Sequence, residues 1–278
     1  MPFNSYISLI TPFDVNNKID ARALKRLAQE LTKSDVAGFF LASEIGEGDL
    51  LSFEEKFELA YILSETVPSS IPLYLHLKRK DVFNAEFSRS LSLLNNLGIV
   101  ISLQEYQGLA EEVVLDQLIE LSNYKKPLIL DRVSAASKEL LNQILALPYI
   151  FAVYQKNLDI QLRVPQGIKK FTQLEKKTTF QSLETYQDIV SYYSHIDPRW
   201  MGEFKTNHDL ELSKQSLKKQ KNLLFLLHEL STHDATALIK AFLAKEGKCL
   251  DKTRKKLEDE AKTQQVELLK KLDLIKND

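Results

Sequence analysis

Cysteine and glycine are both scarce in this chain. It has 278 residues, of which one is cysteine, Cys249, and eight are glycine. A single cysteine excludes an intrachain disulfide and a zinc site made of several thiolates. Loops that hold phosphates need glycine because the backbone must approach the ligand closely, and no glycine-rich loop is present. We therefore expect no nucleotide or other cofactor and no metal ion.

The chain also lacks an excess of charge of either sign and any long apolar run. It carries 37 Lys and Arg against 38 Asp and Glu, a formal net charge of −1. Proteins that bind nucleic acid through its phosphates need a basic excess, so we expect no nucleic-acid partner. No apolar run approaches the roughly 18 residues of a membrane helix, and no secretory signal begins the sequence. We expect a cytoplasmic globular protein.

The sequence does contain an alternation of short apolar runs and amphipathic helical patterns. Leu24, Leu27, Ala28 and Leu31 have helical spacing after the N-cap candidate Asp20. A capping box, Ser52-Phe-Glu-Glu55, predicts the start of a second helix, and a third is expected over Val82–Leu97. The first six predicted strands are Ser5–Leu9, Gly38–Ala42, Ile71–Leu77, Ile99–Leu103, Pro127–Leu130 and Ile150–Tyr154.

Beyond the sixth strand the patterns are weaker. A helix is predicted around Gln166–Leu174 and another over Tyr186–Tyr193, with strands at Phe180–Leu183 and Trp200–Phe204. About eight strand–helix units favour a (β/α)₈ barrel, which is the TIM barrel, followed by C-terminal helices. An open doubly wound sheet is the alternative, but its glycine-rich first crossover is missing. We expect the barrel in residues 1–207 and the C-terminal helices, packed on it, in residues 208–278.

Several stretches share their pattern with one known family. They are Leu9-Ile-Thr-Pro-Phe13, Ile45-Gly-Glu-Gly-Asp-Leu-Leu-Ser52, Leu147-Pro-Tyr-Ile150 and Thr236-Ala-Leu-Ile-Lys-Ala-Phe-Leu243. Together they resemble the dihydrodipicolinate synthase / N-acetylneuraminate lyase family, which are pyruvate-dependent class I aldolases. The resemblance implies a TIM barrel with a helical C-terminal bundle, a small-molecule carboxylate ligand, and assembly as a homodimer or homotetramer.

The resemblance also implies which positions do the chemistry, and most of them differ in this chain. The family forms a Schiff base on a sixth-strand lysine, and an ungapped match places Tyr154 there. A fifth-strand tyrosine that relays protons is matched by Asp131. The paired threonines that grip the substrate carboxylate are matched by Glu44 and Ile45. Negative charge at Glu44 opposes an anionic keto acid.

Some candidates for catalysis remain. Tyr106 matches the family's second tyrosine, and Glu47 keeps a family position in the loop after the second strand. Lys156 follows Tyr154 by two residues, which places both on one face of a strand, about 6–7 Å apart. A displaced Schiff base on Lys156, with Tyr106 or Tyr154 as proton relay, is therefore a candidate mechanism, and the alternative is that Lys156 is a solvated loop residue.

A group of charged residues is expected near the carboxyl ends of the strands, where TIM barrels place their active sites. Glu44, Glu47, His76 and Lys78 are candidates for binding a ligand, and with Asp131 they form either an acid/base or cation site or a set of internal salt bridges. His195 and the other remaining histidines are interpreted as surface or helix-cap residues. Tyr154 is expected inside the barrel, with its hydroxyl bonded to Asp131 or Glu44.

Three functions are open at this point. The first is a divergent dihydrodipicolinate synthase-like protein without Schiff-base lyase activity, kept for binding, assembly or regulation. The second is a lyase or aldolase that acts on a keto acid with Lys156 as nucleophile. The third is a metal- or carboxylate-based enzyme on the same barrel.

Overall fold

A closed barrel of eight parallel strands forms the centre of the computed structural model, and each strand pairs with the next along the chain. This confirms the TIM barrel and excludes the open sheet. The structure describes residues 4–34, 36–155, 164–173, 188–191, 193–196, 221–222, 225–226, 228–229, 234–256 and 259–277. The strands are β1 Asn4–Ser8, β2 Gly38–Leu41, β3 Leu73–Leu77, β4 Leu97–Ser102, β5 Leu128–Asp131, β6 Ile150–Gln155, β7 Lys169–Gln173 and β8 Asp188–Ser191.

Helices follow the strands and begin at the predicted caps. The Asp20 side chain accepts the amides of Arg22 and Ala23, and Ser52 forms the predicted capping box with Glu55. The described helices longer than a single 3₁₀ turn are α1 Ala21–Thr32, α2 Phe53–Ser64, α3 Arg79–Val82, α4 Phe87–Ser92, α5 Glu111–Ser122, α6 Lys138–Leu145, α7 Ala235–Lys245 and α8 Asp259–Asn277.

The structure corrects three predicted elements. A single helix was expected over Val82–Leu97. The structure instead has two short helices, α3 and α4, and β4 already begins at Leu97. The helix expected around Gln166–Leu174 is wrong, because β7 occupies that stretch. The helix expected over Tyr186–Tyr193 is also wrong, because β8 occupies residues 188–191. The strands predicted at residues 180–183 and 200–204 lie outside the described residues.

The core has two layers on the two faces of the barrel strands. Alternation with period two turns one set of side chains inward and the other towards the helices. The inward set fills the barrel with aromatic and small apolar groups, among them Tyr6, Phe40, Tyr74 and Phe171. The outward set packs against the helices and consists largely of Leu, Ile and Phe.

The C-terminal helices pack on the outside of the barrel. Leu238 and Phe242 of α7 and Leu268 of α8 share a buried apolar cluster with Ile10 and Leu27. No helix in the described part of the chain is long and apolar enough to cross a membrane. The division between barrel and helices at residue 207 stays a prediction.

Candidate functional site

The carboxyl ends of the strands form the mouth of the barrel, and Tyr154 lies inside it. Its ring centre is 5.3 Å from that of Phe40 and 6.1 Å from that of His76. Its hydroxyl donates a hydrogen bond of 2.7 Å to Oε1 of Gln173 on β7. The predicted inward orientation of Tyr154 is therefore confirmed. The hydrogen-bond partner is Gln173, not Asp131 or Glu44, because β7 brings its own polar end to the mouth.

Asp131 lies beside Tyr154 at the same level of the barrel. The two residues are register partners between β5 and β6, and Ser102 of β4 is the partner on the other side. Oδ1 of Asp131 accepts the backbone amide of Arg132, and its Oδ2 is 3.8 Å from Nε of Arg132. Arg132 has a φ of 51°, a left-handed conformation that is uncommon for residues other than glycine. The Arg132 guanidinium thus contacts the Asp131 carboxyl through Nε and donates to Gln104 through Nη1.

Aromatic rings occupy the barrel directly below the mouth. The ring of Phe171 is 5.3 Å from that of Phe40, 5.6 Å from that of Tyr74 and 4.7 Å from that of Tyr6. Burial raises the pKa of the Tyr6 and Tyr74 hydroxyls well above their usual range. The described part of the lumen below the mouth is therefore a packed aromatic core.

The segment Ala42–Leu51, here called the mouth loop, joins β2 to α2 and is packed tightly. A Cβ atom added at Gly48 would lie 1.7 Å from the carbonyl oxygen of Ala42. The hydroxyls of Ser43 and Ser8 lie 2.6 Å apart, and Thr11 donates to the Gly46 carbonyl at 2.7 Å. These contacts fix the loop with little room for a larger residue.

Within the mouth loop the candidate residues point in different directions. Glu44 is exposed, whereas Ile45 packs against the apolar cluster of the C-terminal helices. Glu47 is buried and forms an ion pair with Lys240 of α7. Its other carboxylate oxygen accepts the amides of Arg254 and Lys255. Both oxygens of Glu47 therefore serve contacts within the chain.

Two further candidates, His76 and Lys78, occupy different environments. His76 lies in the mouth beside Tyr154 and Phe40. Lys78 follows β3, and its Nζ is 3.0 Å from Oδ1 of Asp49 in the mouth loop. In this pair and in the one between Glu47 and Lys240, the partner lies outside the candidate set, so the expected salt bridges among the candidates themselves stay a prediction.

Tyr106 lies outside the barrel, in the apolar layer between strands and helices. Its ring centre is 5.9 Å from the guanidinium carbon of Arg79. Its hydroxyl has no hydrogen-bond partner in the part of the chain that the structure describes, and burial raises its pKa to about 12. Tyr106 therefore does not join Tyr154 within one chain.

The structure places His76 and Asp131 beside Tyr154. Glu47 pairs with Lys240, Lys78 pairs with Asp49, and Tyr106 lies in the apolar layer outside the barrel. Lys156 lies outside the described residues, so its position is untested. Among the described residues no group of three His, Cys, Asp or Glu side chains could hold a metal ion. The catalytic and binding roles of all these residues stay predictions.

The sequence analysis missed two polar residues, Gln173 and Lys240, and misplaced a third, His195. Gln173 was missed because its strand was not predicted. Lys240 stands alone in the apolar stretch Thr236–Leu243, and a lone lysine in such a helix is a signal for a buried ion pair. His195, expected at the surface, is buried, which makes that interpretation wrong. Its Nε2 lies 3.1 Å from the Ser8 carbonyl oxygen.

Comparisons with known proteins agree with this geometry at the level of the fold. The model of the dihydrodipicolinate synthetase family matches residues 2–77. The 4-hydroxy-tetrahydrodipicolinate synthase of Leuconostoc mesenteroides subsp. mesenteroides is 30% identical over 104 residues, which are 37% of this chain and 36% of that protein. The Rickettsia akari synthase is 42% identical over 66 residues, 24% of this chain and 22% of its own length. These matches therefore span about a third or less of the relatives.

Solved structures match over nearly the whole chain. The sialic acid aldolase of Ruminococcus gnavus superposes with a TM-score of 0.81 at 16% identity, covering 99% of this chain and 98% of that one. The Cyanidioschyzon merolae dihydrodipicolinate synthase with lysine bound gives 0.79 at 16% identity, covering 98% of each chain. At such low identity the likeness concerns the fold alone.

Proposed function

We propose that the chain is a member of the dihydrodipicolinate synthetase family, whose model matches residues 2–77, and that it lacks Schiff-base lyase activity. Its barrel serves binding, assembly or regulation instead. The observation that carries this proposal is Tyr154, whose ring occupies the mouth where the resemblance places the reacting lysine, with its hydroxyl bonded to Gln173.

Schiff-base chemistry needs an amine that is neutral often enough to attack a ketone and that reaches the substrate. The side chains at the mouth in the described strands offer hydroxyl, imidazole, amide and carboxylate groups but no amine. They are Ser8, His76, Ser102, Asp131, Tyr154 and Gln173. This set supports a site for hydrogen bonding rather than for covalent catalysis.

Reductive trapping tests the proposal directly. The protein is incubated with pyruvate and borohydride and its intact mass is measured, with the Leuconostoc mesenteroides synthase treated in parallel. We expect no adduct on this chain. A stoichiometric adduct that disappears in Lys156→Ala and persists in the exposed-residue control Lys138→Ala would overturn the proposal and establish the relocated-lysine lyase.

Assembly as a homodimer or homotetramer is part of the proposal. Phe83, Leu109 and Val113 are exposed apolar residues, and the Leu109 amide donates to the Tyr106 carbonyl at 3.2 Å. The Arg79 guanidinium carbon lies 5.4 Å from the ring centre of Phe83 and 5.9 Å from that of Tyr106, which joins them in one patch. A second copy of the chain on this patch would remove its apolar surface from water.

A further inference from the structure

The segment Gly247–Lys256, here called the strap, connects α7 to the region before α8 and crosses the outside of the mouth. Lys248 pairs with Glu30 of α1 at 2.5 Å, and Arg254 donates to Glu55 of α2 at 2.7 Å. Lys252 donates to the backbone carbonyl of Val15, and Arg254 also donates to those of Asn17 and Leu50, all in the first two strand–helix connections. The strap is thereby tied to α1, to α2 and to the mouth loop.

Glu47 is the residue of the mouth loop on which these contacts converge. One carboxylate oxygen pairs with Lys240, and the other accepts the amides of Arg254 at 2.7 Å and Lys255 at 3.1 Å. Glu47 has a φ of 55°, so the backbone is held in a left-handed conformation at this residue. Such a conformation persists only where the surroundings determine it.

Lys240 reaches this point from α7 and is fully buried, with 0% of its side chain exposed against 4% for Glu47. Its Nζ also donates to the Lys252 carbonyl at 2.9 Å and lies 4.2 Å from the ring centre of Phe13. Burial lowers its pKa, and the charge of Glu47 acts in the opposite direction. Removing one partner would leave the other charge buried without compensation.

Two further contacts hold the mouth loop. Lys78, which follows β3, pairs with Asp49 of the loop, and Thr236 of α7 donates to the Ile45 carbonyl at 3.1 Å. The barrel strands below the loop are held by their own ladders and by the apolar core. The loop and the strap therefore share a set of polar contacts that the strands do not use.

We propose that the Lys240–Glu47 pair is a lock through which the C-terminal segment sets the shape of the barrel mouth. Glu47 is then a positioning residue that acts through the mouth loop and does not touch a ligand. Opening the lock releases the mouth loop and the strap together and leaves the barrel folded. This inference holds whether or not the mouth performs Schiff-base chemistry.

Amide hydrogen exchange of the full-length chain tests the lock without any substitution. The amides of Glu47, Gly48, Arg254 and Lys255 are expected to exchange through one shared opening with little dependence on denaturant. Strand amides such as Ile99 should exchange only through global unfolding, with a strong denaturant dependence. If the loop and strap amides show the same opening free energy and denaturant dependence as Ile99, there is no separate lock.

Substitution then tests whether Lys240 is the element that holds the loop. Lys240→Met should accelerate amide exchange at Glu47 and Arg254 by roughly 100-fold. Its circular dichroism spectrum should still be that of a folded barrel. Lys245→Met is the matched control, because Lys245 lies on the same helix but pairs with Asp273 at the surface. Equal exchange at Glu47 in the two variants would overturn the proposal.

A second variant keeps the test valid if Lys240→Met does not fold. Glu47→Gln preserves the volume and an acceptor oxygen for the two strap amides but removes the negative charge that pairs with Lys240. It should accelerate exchange in the mouth loop by at least about 10-fold, because the buried Lys240 ammonium then lacks its counter-charge. No acceleration in this variant would show that the ion pair does not hold the loop.

Discussion

At the scale of single residues, His195 gives the clearest pH dependence. Burial lowers the pKa of its ring from 6.5 to about 4. The unfolded chain therefore binds more protons than the folded chain between these two values. The stabilisation is complete above about pH 6.5 and is lost as the pH falls towards 4, by about 3 kcal/mol in total.

Urea unfolding at pH 7, 5.5 and 4.5 measures this effect. As the pH is lowered from 7 to 4.5, the free energy of unfolding of the wild-type chain should decrease more than that of His195→Gln. His228→Gln is the control, because His228 is exposed on a helical segment. Identical pH profiles for the wild type and His195→Gln would show that the buried ring does not titrate in this range.

The residue scale also shows what the sequence can predict of the site. The ungapped match of the sixth strand to the family pattern placed Tyr154 correctly inside the barrel. Such a match fixes which face of a strand each residue occupies. It did not reveal the partner Gln173, which lies 19 residues away, or the pair between Glu47 and Lys240, which are 193 residues apart. Such contacts depend on strand register and helix docking, and local patterns do not encode either.

At the scale of elements, capping determines where the helices begin. Ser52 accepts the amide of Glu55 at 3.2 Å, and its own amide donates to the Glu55 side chain at 2.9 Å, directly after the mouth loop. Ser52→Ala should lower the free energy of unfolding by about 1 kcal/mol, since the α2 amide loses its acceptor. Urea unfolding measures this loss of stability, and Ser134→Ala, at an exposed serine, is the control. An unchanged midpoint for Ser52→Ala would contradict the role of the cap.

Elements were predictable where an apolar run or a cap was present. The six strands up to Tyr154 have apolar runs and were found, with shifts of one or two residues at most of their ends. β7 has the sequence Lys-Lys-Phe-Thr-Gln, with one apolar residue, and β8 has only two, Ile189 and Val190. Barrel closure forms these strands, because each pairs with neighbours on both sides, so tertiary contacts override weak local propensity.

At the scale of the whole molecule, the exposed apolar patch determines the expected assembly. Phe83 is 49% exposed, Leu109 36% and Val113 41%. Large exposed apolar side chains favour contact with another surface. A symmetric pair of chains would place the same patch of each copy against its partner, as a two-fold interface requires.

Light scattering after size-exclusion chromatography tests this assembly. The wild-type mass should be a multiple of the 31.9 kDa chain. Leu109→Glu should lower the mass to that of one chain, because a carboxylate buried without a partner at the interface opposes association. Leu93→Glu, at an apolar residue on the connection after α4 that is 67% exposed, should leave the mass unchanged. A wild-type mass of one chain would reject the assembly, and a loss of mass with Leu93→Glu but not with Leu109→Glu would place the interface on another face of the barrel.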